Sequence, residues 1–391
     1  MIRESERLKV AETYYFAKKL AEIKQMNETN AVKVINLGIG SPDLPPPAAV
    51  SNKLKEYATR ADVHAYQSYK GIPELNDAFA AWYQNHFDVQ VNPATEILPL
   101  IGSKEGVMHI SMSFLNPGDK VLVPNPGYPA YAMTAKLAGA EVIYFDLEST
   151  LDWLPDLTKI EAENDLTQVK MMWVNYPNMP TGGNATKMFF TELIAFGIKH
   201  NILICHDNPY TFILNENPLS ILQTEGAKKT ALELTSLSKN YNMAGWRIGA
   251  VTGDQYYINT ILKFKSNMDS GMFLPLQVAA VEALKQDNSW FDYLNGIYKD
   301  RKVKAIEIME ALGCKPLRNG AGMFVWAEIP DGGKDAETMA DEILYESKVF
   351  ITPGHIFGDV GKRYLRISLC SDVNQLQNAL QRVNELNKTA V

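Results

Sequence analysis

The sequence predicts an α/β fold, a mostly parallel central sheet flanked by helices, joined to a smaller α+β domain. The middle of the chain alternates short β-rich runs with amphipathic helical stretches, the pattern of a parallel sheet built by crossovers. One of those runs, "NILICHD" (201–207), is apolar with little alternation, as expected of a strand covered on both faces. From about Gln277 the pattern changes to a long helical stretch and two further strand-like runs, which reads as a second unit.

Taken in order, a helix is expected around residues 5–27, followed by "NLGIGSPDLPPP" (36–47), rich in Gly and Pro and read as an ordered loop or linker. "SKEGVMHISMSFL" (103–115) and "KMFFTELIAFGIKHN" (187–201) carry helical apolar spacing. Strands are expected at "KVLVP" (120–124), "EVIYFDL" (141–147), "KMMWVNY" (170–176), 201–207, "LELTSL" (232–237) and "RIGAVTG" (247–253). The helical stretch from about Gln277 runs to about Leu312, before "GMFVWAEI" and "YLRISL". The domain reading is 1–45 for the N-terminal helix and linker, packing with the small domain, 46–276 for the large domain and 277–391 for the small one.

Composition limits the function. At 391 residues with 46% hydrophobic and 21% charged, the chain reads as a soluble globular protein long enough for two domains. A net charge of -7 offers no positive surplus for a nucleic-acid partner. No run approaches the roughly 20 apolar residues of a membrane span, and the charged start lacks the core of a signal peptide. Cys205, Cys314 and Cys370 have no CxxC spacing, so a reducing, cytoplasmic setting is expected.

In sheets of this type, ligands gather beyond the carboxyl ends of the strands. Asp207 and Tyr210 follow one strand in "CHDNPY", Lys239 follows the next, and "PNPGYPAY" (124–131) and "NYPNMPTG" (175–182) follow two more. The chain has no P-loop. "GIGSPD" lacks the third glycine of a dinucleotide fingerprint, and six scattered histidines show no metal-ligand spacing. A lysine, a strand-end aspartate, a tyrosine three residues on, an arginine and the loop "GSKEG" opening a helix suit pyridoxal phosphate. The lysine holds the aldehyde as a Schiff base. A buried carboxylate keeps the pyridine nitrogen protonated, and a helix N-terminus receives the phosphate.

The chain resembles, over nearly its whole length, the class I/II aminotransferases of the fold-type I pyridoxal-phosphate enzymes. "SLSKNYNMAGWRIG" is similar to that family's lysine signature. The resemblance implies Lys239 as the Schiff-base lysine, with Ser236, Ser238 and Arg247 on the phosphate. "DNPY" implies Asp207 for the pyridine nitrogen and Tyr210 for the phenolic oxygen; "GSKEG" implies Ser103 and Lys104 on the phosphate through their backbone amides. "NPGYPAY" implies Tyr128 stacked on the ring, and "YLRIS" implies Arg366 on the substrate carboxylate. "LGIGSPD" implies Gly40 close to the substrate. "YQSYKGIPEL" implies that Tyr66 reaches the phosphate of a neighbouring subunit, hence a homodimer with shared active sites.

One position departs from the family. An asparagine usually stands directly before Pro-Thr-Gly and donates to the phenolic oxygen, whereas here Met179 stands there, and a thioether donates nothing. Asn178 is adjacent but points to the other face of an extended chain. Asn175 shares the face of Met179 at roughly 13 Å if the chain stays straight; with Pro177 and Pro180 bending it, Asn175 is the expected replacement, the alternative being that no amide replaces it.

The implied reaction is a ping-pong transamination between an L-amino acid and a 2-oxo acid. "KSNMDSGMFLPLQ" (265–277) holds no arginine for a second carboxylate. Together with the aromatic residues of "YYF" (14–16) and "MFVW" (323–326), which equally suit a core, that favours a neutral or apolar substrate side chain, with glutamate and 2-oxoglutarate as the other pair. Two alternatives share these residues: a carbon–sulfur β-lyase, and a non-catalytic regulator built on the fold.

Overall fold

The computed structural model describes residues 2–10 and 15–389. After helix α1 (Tyr15–Thr29) and the short strand β1 (Ile35–Asn36), the chain enters a large sheet. Its strands are β2 (Ile97–Leu100), β3 (Lys120–Asn125), β4 (Glu141–Asp146), β5 (Val169–Asn175), β6 (Leu203–Asp207), β7 (Ala231–Ser236) and β8 (Gly249–Gly253). Their order is β2-β8-β7-β6-β5-β3-β4, with every neighbouring pair from β7 to β4 parallel and β8 antiparallel to both of its partners. Every residue of β6 is buried, as its continuous apolar run predicts for a strand with helices on both faces.

Strand β2 lies outside the sequence-predicted set. Its "ILPL" contains Pro99, which argues against a strand except at an edge, and β2 is an edge strand paired with β8 alone. Strand β8 begins two residues later than expected because Arg247 takes a left-handed backbone, φ 57°. Local signals end the helices: Thr186 caps the N-terminus of Lys187–His200 through Phe189 N, and left-handed Asn201 closes it.

Beyond the large sheet, the single helical stretch expected from Gln277 to Leu312 is two helices, Leu274–Leu284 and Asn288–Ala311. The break is chemical: the Asp287 carboxylate accepts from Ser289 N at 2.9 Å and starts the second helix. Then come β9 (Lys315–Pro316), β10 (Phe324–Glu328), β11 (Val349–Phe350), β12 (Thr352–Pro353) and β13 (Tyr364–Ser368). A four-stranded sheet orders them β12-β13-β10-β9, all antiparallel. Strand β11 pairs in parallel with β1.

The N-terminal segment packs on this second region. The described helical part of the expected 5–27 stretch is a short turn, Glu6–Leu8, and α1, which runs on to Thr29; residues 11–14 lie outside the described set. Lys19 of α1 bonds Asp341 at 2.9 Å and Glu22 at 2.8 Å, and Ile23 packs on Leu344 and Phe350. The linker is pinned by Asp43, whose two oxygens receive Arg301 Nη1 and Nη2 at 2.7 and 2.8 Å. Arg301 Nη1 also donates to Leu369 O at 2.9 Å.

Arg301 is buried, so losing its carboxylate leaves a charge without compensation. Asp43→Ala is expected to lower stability by about 3 kcal/mol, read as a drop in the urea midpoint at constant slope.

Candidate active site

Beyond the carboxyl ends of β5, β6 and β7 lies a cavity of about 440 Å³, a size suited to a small cofactor with a substrate. Twelve of the thirteen sequence-predicted site residues line it, drawn from the linker, the Ser103 helix, the last residues of β5, β6 and β7, the segments after β3, β6 and β7, and β13. Tyr66 does not: it stands on the surface at 92% exposure.

One end of the cavity is built for an anion. Ser103 and Lys104 open the helix Ser103–Phe114, whose first N–H groups have no intrahelical partner. Gly102 precedes it at φ 83°, and a Cβ there would collide with the Arg247 guanidinium, so only glycine allows the cation so close. Ser236 caps the next short helix by accepting from Ser238 N at 3.1 Å, and both serines line the cavity. Hydroxyls, a helix N-terminus and a guanidinium converge where a phosphate would sit.

The middle holds Asp207 at the tip of β6, 5% exposed. Its Oδ2 accepts from Tyr131 Oη at 2.7 Å, while the buried Oδ1 has no partner among the described residues. Burial pushes this carboxyl up to about 6, against the pull of the Tyr131 hydroxyl. A pyridinium N–H supplies what Oδ1 lacks, so the residues present fit pyridoxal phosphate. Tyr128 and Tyr210 complete this part of the wall. Burial drives the Tyr210 phenol far above its usual range, so it stays a donor. The neighbouring strand residue His206 points away, bonding Glu233 through Nδ1 at 2.8 Å and Tyr176 O through Nε2 at 3.1 Å.

The loop after β5 bends more sharply than an extended chain allows. Met179 N donates to Asn175 Oδ1 at 2.8 Å, which replaces the straight-chain separation of roughly 13 Å. Asn175 Nδ2 donates to Asp207 O at 2.6 Å. The Asn175 amide thus clamps its own loop to the end of β6, with one N–H outside these two bonds.

Lys239 stands in the short helix Leu237–Asn240 that follows β7. Its amine donates to Gly40 O. Burial lowers its pKa; Arg366 and Arg247 lower it further, and Cys370 opposes them. A lysine so placed has the chemistry to act as a nucleophile or a proton carrier. Across from it Arg366, on β13 and 4% exposed, donates through Nη2 to Gly38 O at 2.7 Å and through Nη1 to Met179 Sδ at 3.2 Å. The rings of Phe324 and Phe357 lie 4.1 and 4.6 Å from its central carbon.

Sequence reasoning missed Tyr131, Phe357 and Leu20 as parts of this wall. Tyr131 had a signal, three residues after Tyr128 on one helix face. Phe357 and Leu20 had none, because they arrive from distant segments. Of the two aromatic runs, Phe16 and Phe324 line the cavity, Tyr15, Met323 and Trp326 do not, and Tyr14 is outside the described residues.

Residues 32–383 match the family model "Aminotransferase class I and II". The LL-diaminopimelate aminotransferase of Dehalococcoides mccartyi is 39% identical over 384 residues, 97% of either chain. That of Maridesulfovibrio salexigens is 40% identical over 385 residues, 98% of either chain. Among solved structures, apo-BacF from Bacillus subtilis superposes with a TM-score of 0.94 at 36% identity, covering 99% of both chains.

Asp207 sets a pH dependence in the cofactor-free protein. Its folded pKa of about 6 exceeds the unfolded value of 3.8, so folding is penalised as pH rises from about 4 to 6 and by a constant amount above that. Asp207→Asn removes the penalty. Relative to wild type, the cofactor-free variant is expected to gain about 2 kcal/mol between pH 4 and pH 7, measured as the difference of urea midpoints.

Proposed function

The chain belongs to the class I and II aminotransferase family and is a pyridoxal-phosphate-dependent aminotransferase, and from that premise we propose that its amino-acid substrate has a neutral or apolar side chain. Glutamate and 2-oxoglutarate form the other pair, and the enzyme works in the cytoplasm as a homodimer. The observation that carries the substrate reading is the wall around Arg366. Phe16, Leu20, Ile39, Phe324 and Phe357 line the cavity with it, and among the described residues Lys104, Arg247, Lys239 and Arg366 are the cations of the lining. Two of these belong to the anion end and Lys239 is the amine, which leaves Arg366 for the α-carboxylate. A second carboxylate on the substrate meets carbon there, not a cation.

When bound, the cofactor supplies an electron sink conjugated to the substrate's α-carbon. The chain supplies the rest. Arg366 grips the α-carboxylate and, with Gly40 opposite, orients the Cα–H bond. Lys239, its charged form disfavoured by burial, takes the proton from Cα and holds it on Nζ for return. Asp207 fixes a proton on the ring nitrogen, and Tyr210 donates at the phenolic oxygen. The apolar wall excludes water from the exchange.

A second reading comes from the relatives, which at 39–40% identity are named LL-diaminopimelate aminotransferases; it puts a distal amino-acid head group where we put an apolar side chain. Visible absorbance during additions of single L-amino acids decides between them. L-Phenylalanine or L-leucine is expected to bleach the visible absorption band of the bound cofactor, 2-oxoglutarate to restore it, and kcat/KM to exceed that for L-aspartate by tenfold or more. Lys239→Ala should cost about a thousandfold in kcat. Preferential turnover of LL-diaminopimelate replaces the apolar reading, and pyruvate with ammonia from cystathionine makes the enzyme a β-lyase.

The dimer reading is supported by an exposed apolar patch. Tyr66 and Tyr69 on one segment and Met268 and Phe273 on another are each more than 40% exposed. The two segments lock together: His64 stacks on Phe273, and a Cβ on Gly271 would lie 2.7 Å from Gln67 O and Ser68 O. A patch of this kind marks an interface. Tyr66→Phe is expected to leave the sedimentation of the dimer unchanged while weakening phosphate retention about tenfold, read by equilibrium dialysis of the cofactor; a monomer in sedimentation rejects the shared site.

A further inference from the structure

The residue at 179 stands in the wall that receives the substrate carboxylate, and its chemistry is unlike its surroundings. Its main chain is fixed, because Met179 N donates to Asn175 Oδ1. Its side chain is buried, and its sulfur accepts from Arg366 Nη1 at 3.2 Å. The other terminal nitrogen of the same guanidinium is committed to Gly38 O at 2.7 Å. Sδ therefore occupies Nη1, one of the donors through which a carboxylate can pair with this guanidinium.

A thioether is a weak acceptor and no donor. Two consequences follow from elementary chemistry. The sulfur yields Nη1 to an anionic oxygen at small cost, since a charge-assisted bond displaces a weak one. Once displaced, the side chain offers the arriving oxygen no hydrogen. An amide or hydroxyl there would add a hydrogen bond to every carboxylate that docks, whatever its side chain. With methionine the carboxylate grip stays modest, and the remaining affinity has to come from the side chain against Phe16, Leu20, Phe324 and Phe357.

We propose that Met179 sets the strength of the substrate anchor: it keeps the carboxylate grip on Arg366 weak for every amino acid alike, so that useful binding depends on the apolar surface a side chain brings to the facing wall. This rests on the reading of Arg366 as the carboxylate holder.

The test is calorimetric titration of cofactor-free protein with two unreactive carboxylates, propanoate and 3-phenylpropanoate. Met179→Gln keeps the length of the side chain and adds a donor; Met179→Leu removes the sulfur without adding one. Both are checked for wild-type melting, with Met179→Asn in reserve should the glutamine variant not fold. The donor variant is expected to bind both carboxylates about tenfold tighter, one charge-assisted hydrogen bond's worth, and the leucine variant to stay within about twofold of wild type. In the loaded enzyme, KM should fall by the same factor for every amino donor with kcat unchanged, the signature of uniform binding. Unchanged or weaker binding in the donor variant overturns the proposal, as does a tenfold loss in the leucine variant, which would make the sulfur itself the anchor. If wild type binds 3-phenylpropanoate no better than Arg366→Ala does, the reading of Arg366 fails first and the proposal fails with it.

Discussion

The molecule depends on a buried arginine at which three remote stretches of chain come together. Arg366 comes from the small antiparallel sheet, its Nη2 bond reaches the linker at Gly38, and its Nη1 contact reaches the loop after β5 at Met179. A guanidinium taken out of water is costly unless its N–H groups find acceptors. Once β13 carries it inward, Gly38 O of the linker answers Nη2, while the β5 loop, held by Asn175, offers Nη1 only the weak acceptor Met179 Sδ. Linker, large sheet and small sheet therefore close on one another around a single charge, and the cavity is the space left between them.

The other half of the site follows from strand termination. In a parallel sheet the strands end side by side, so the residues just past β5, β6 and β7 share one edge whatever their separation in sequence. Asn175, Asp207 and Ser236 are the last residues of those three strands. Asn175 then reaches across to the Asp207 carbonyl, which locks two strand ends together and fixes the carboxylate between them. Rigid strand ends and a clamped loop give the precision that catalytic geometry asks for.

Much of this was legible in the sequence because it is written in local chemistry. Lys239 beside two serines, Asp207 three residues before Tyr210, and the glycine opening "GSKEG" at a helix start each announce themselves by residue type and position. The hidden parts depend on partners brought from elsewhere. Nothing near Tyr131 says that its hydroxyl meets Asp207, seventy-six positions away. Nothing near Phe357 says that it flanks Arg366. Strand β2 hides because Pro99 makes a sound local argument against it, overruled by its place at the sheet edge. The helix break at Asp287 is the opposite case: the capping residue was in view, and the apolar periodicity on either side outweighed it.

The half-satisfied Asp207 carboxylate also bears on the life of the chain in a cell. A fold that carries an uncompensated group in its empty form is more open to unfolding, and to proteolysis, than the same fold with that group answered. A ligand that binds the folded chain shifts this balance by mass action, so the steady-state abundance of the protein would follow the supply of its cofactor.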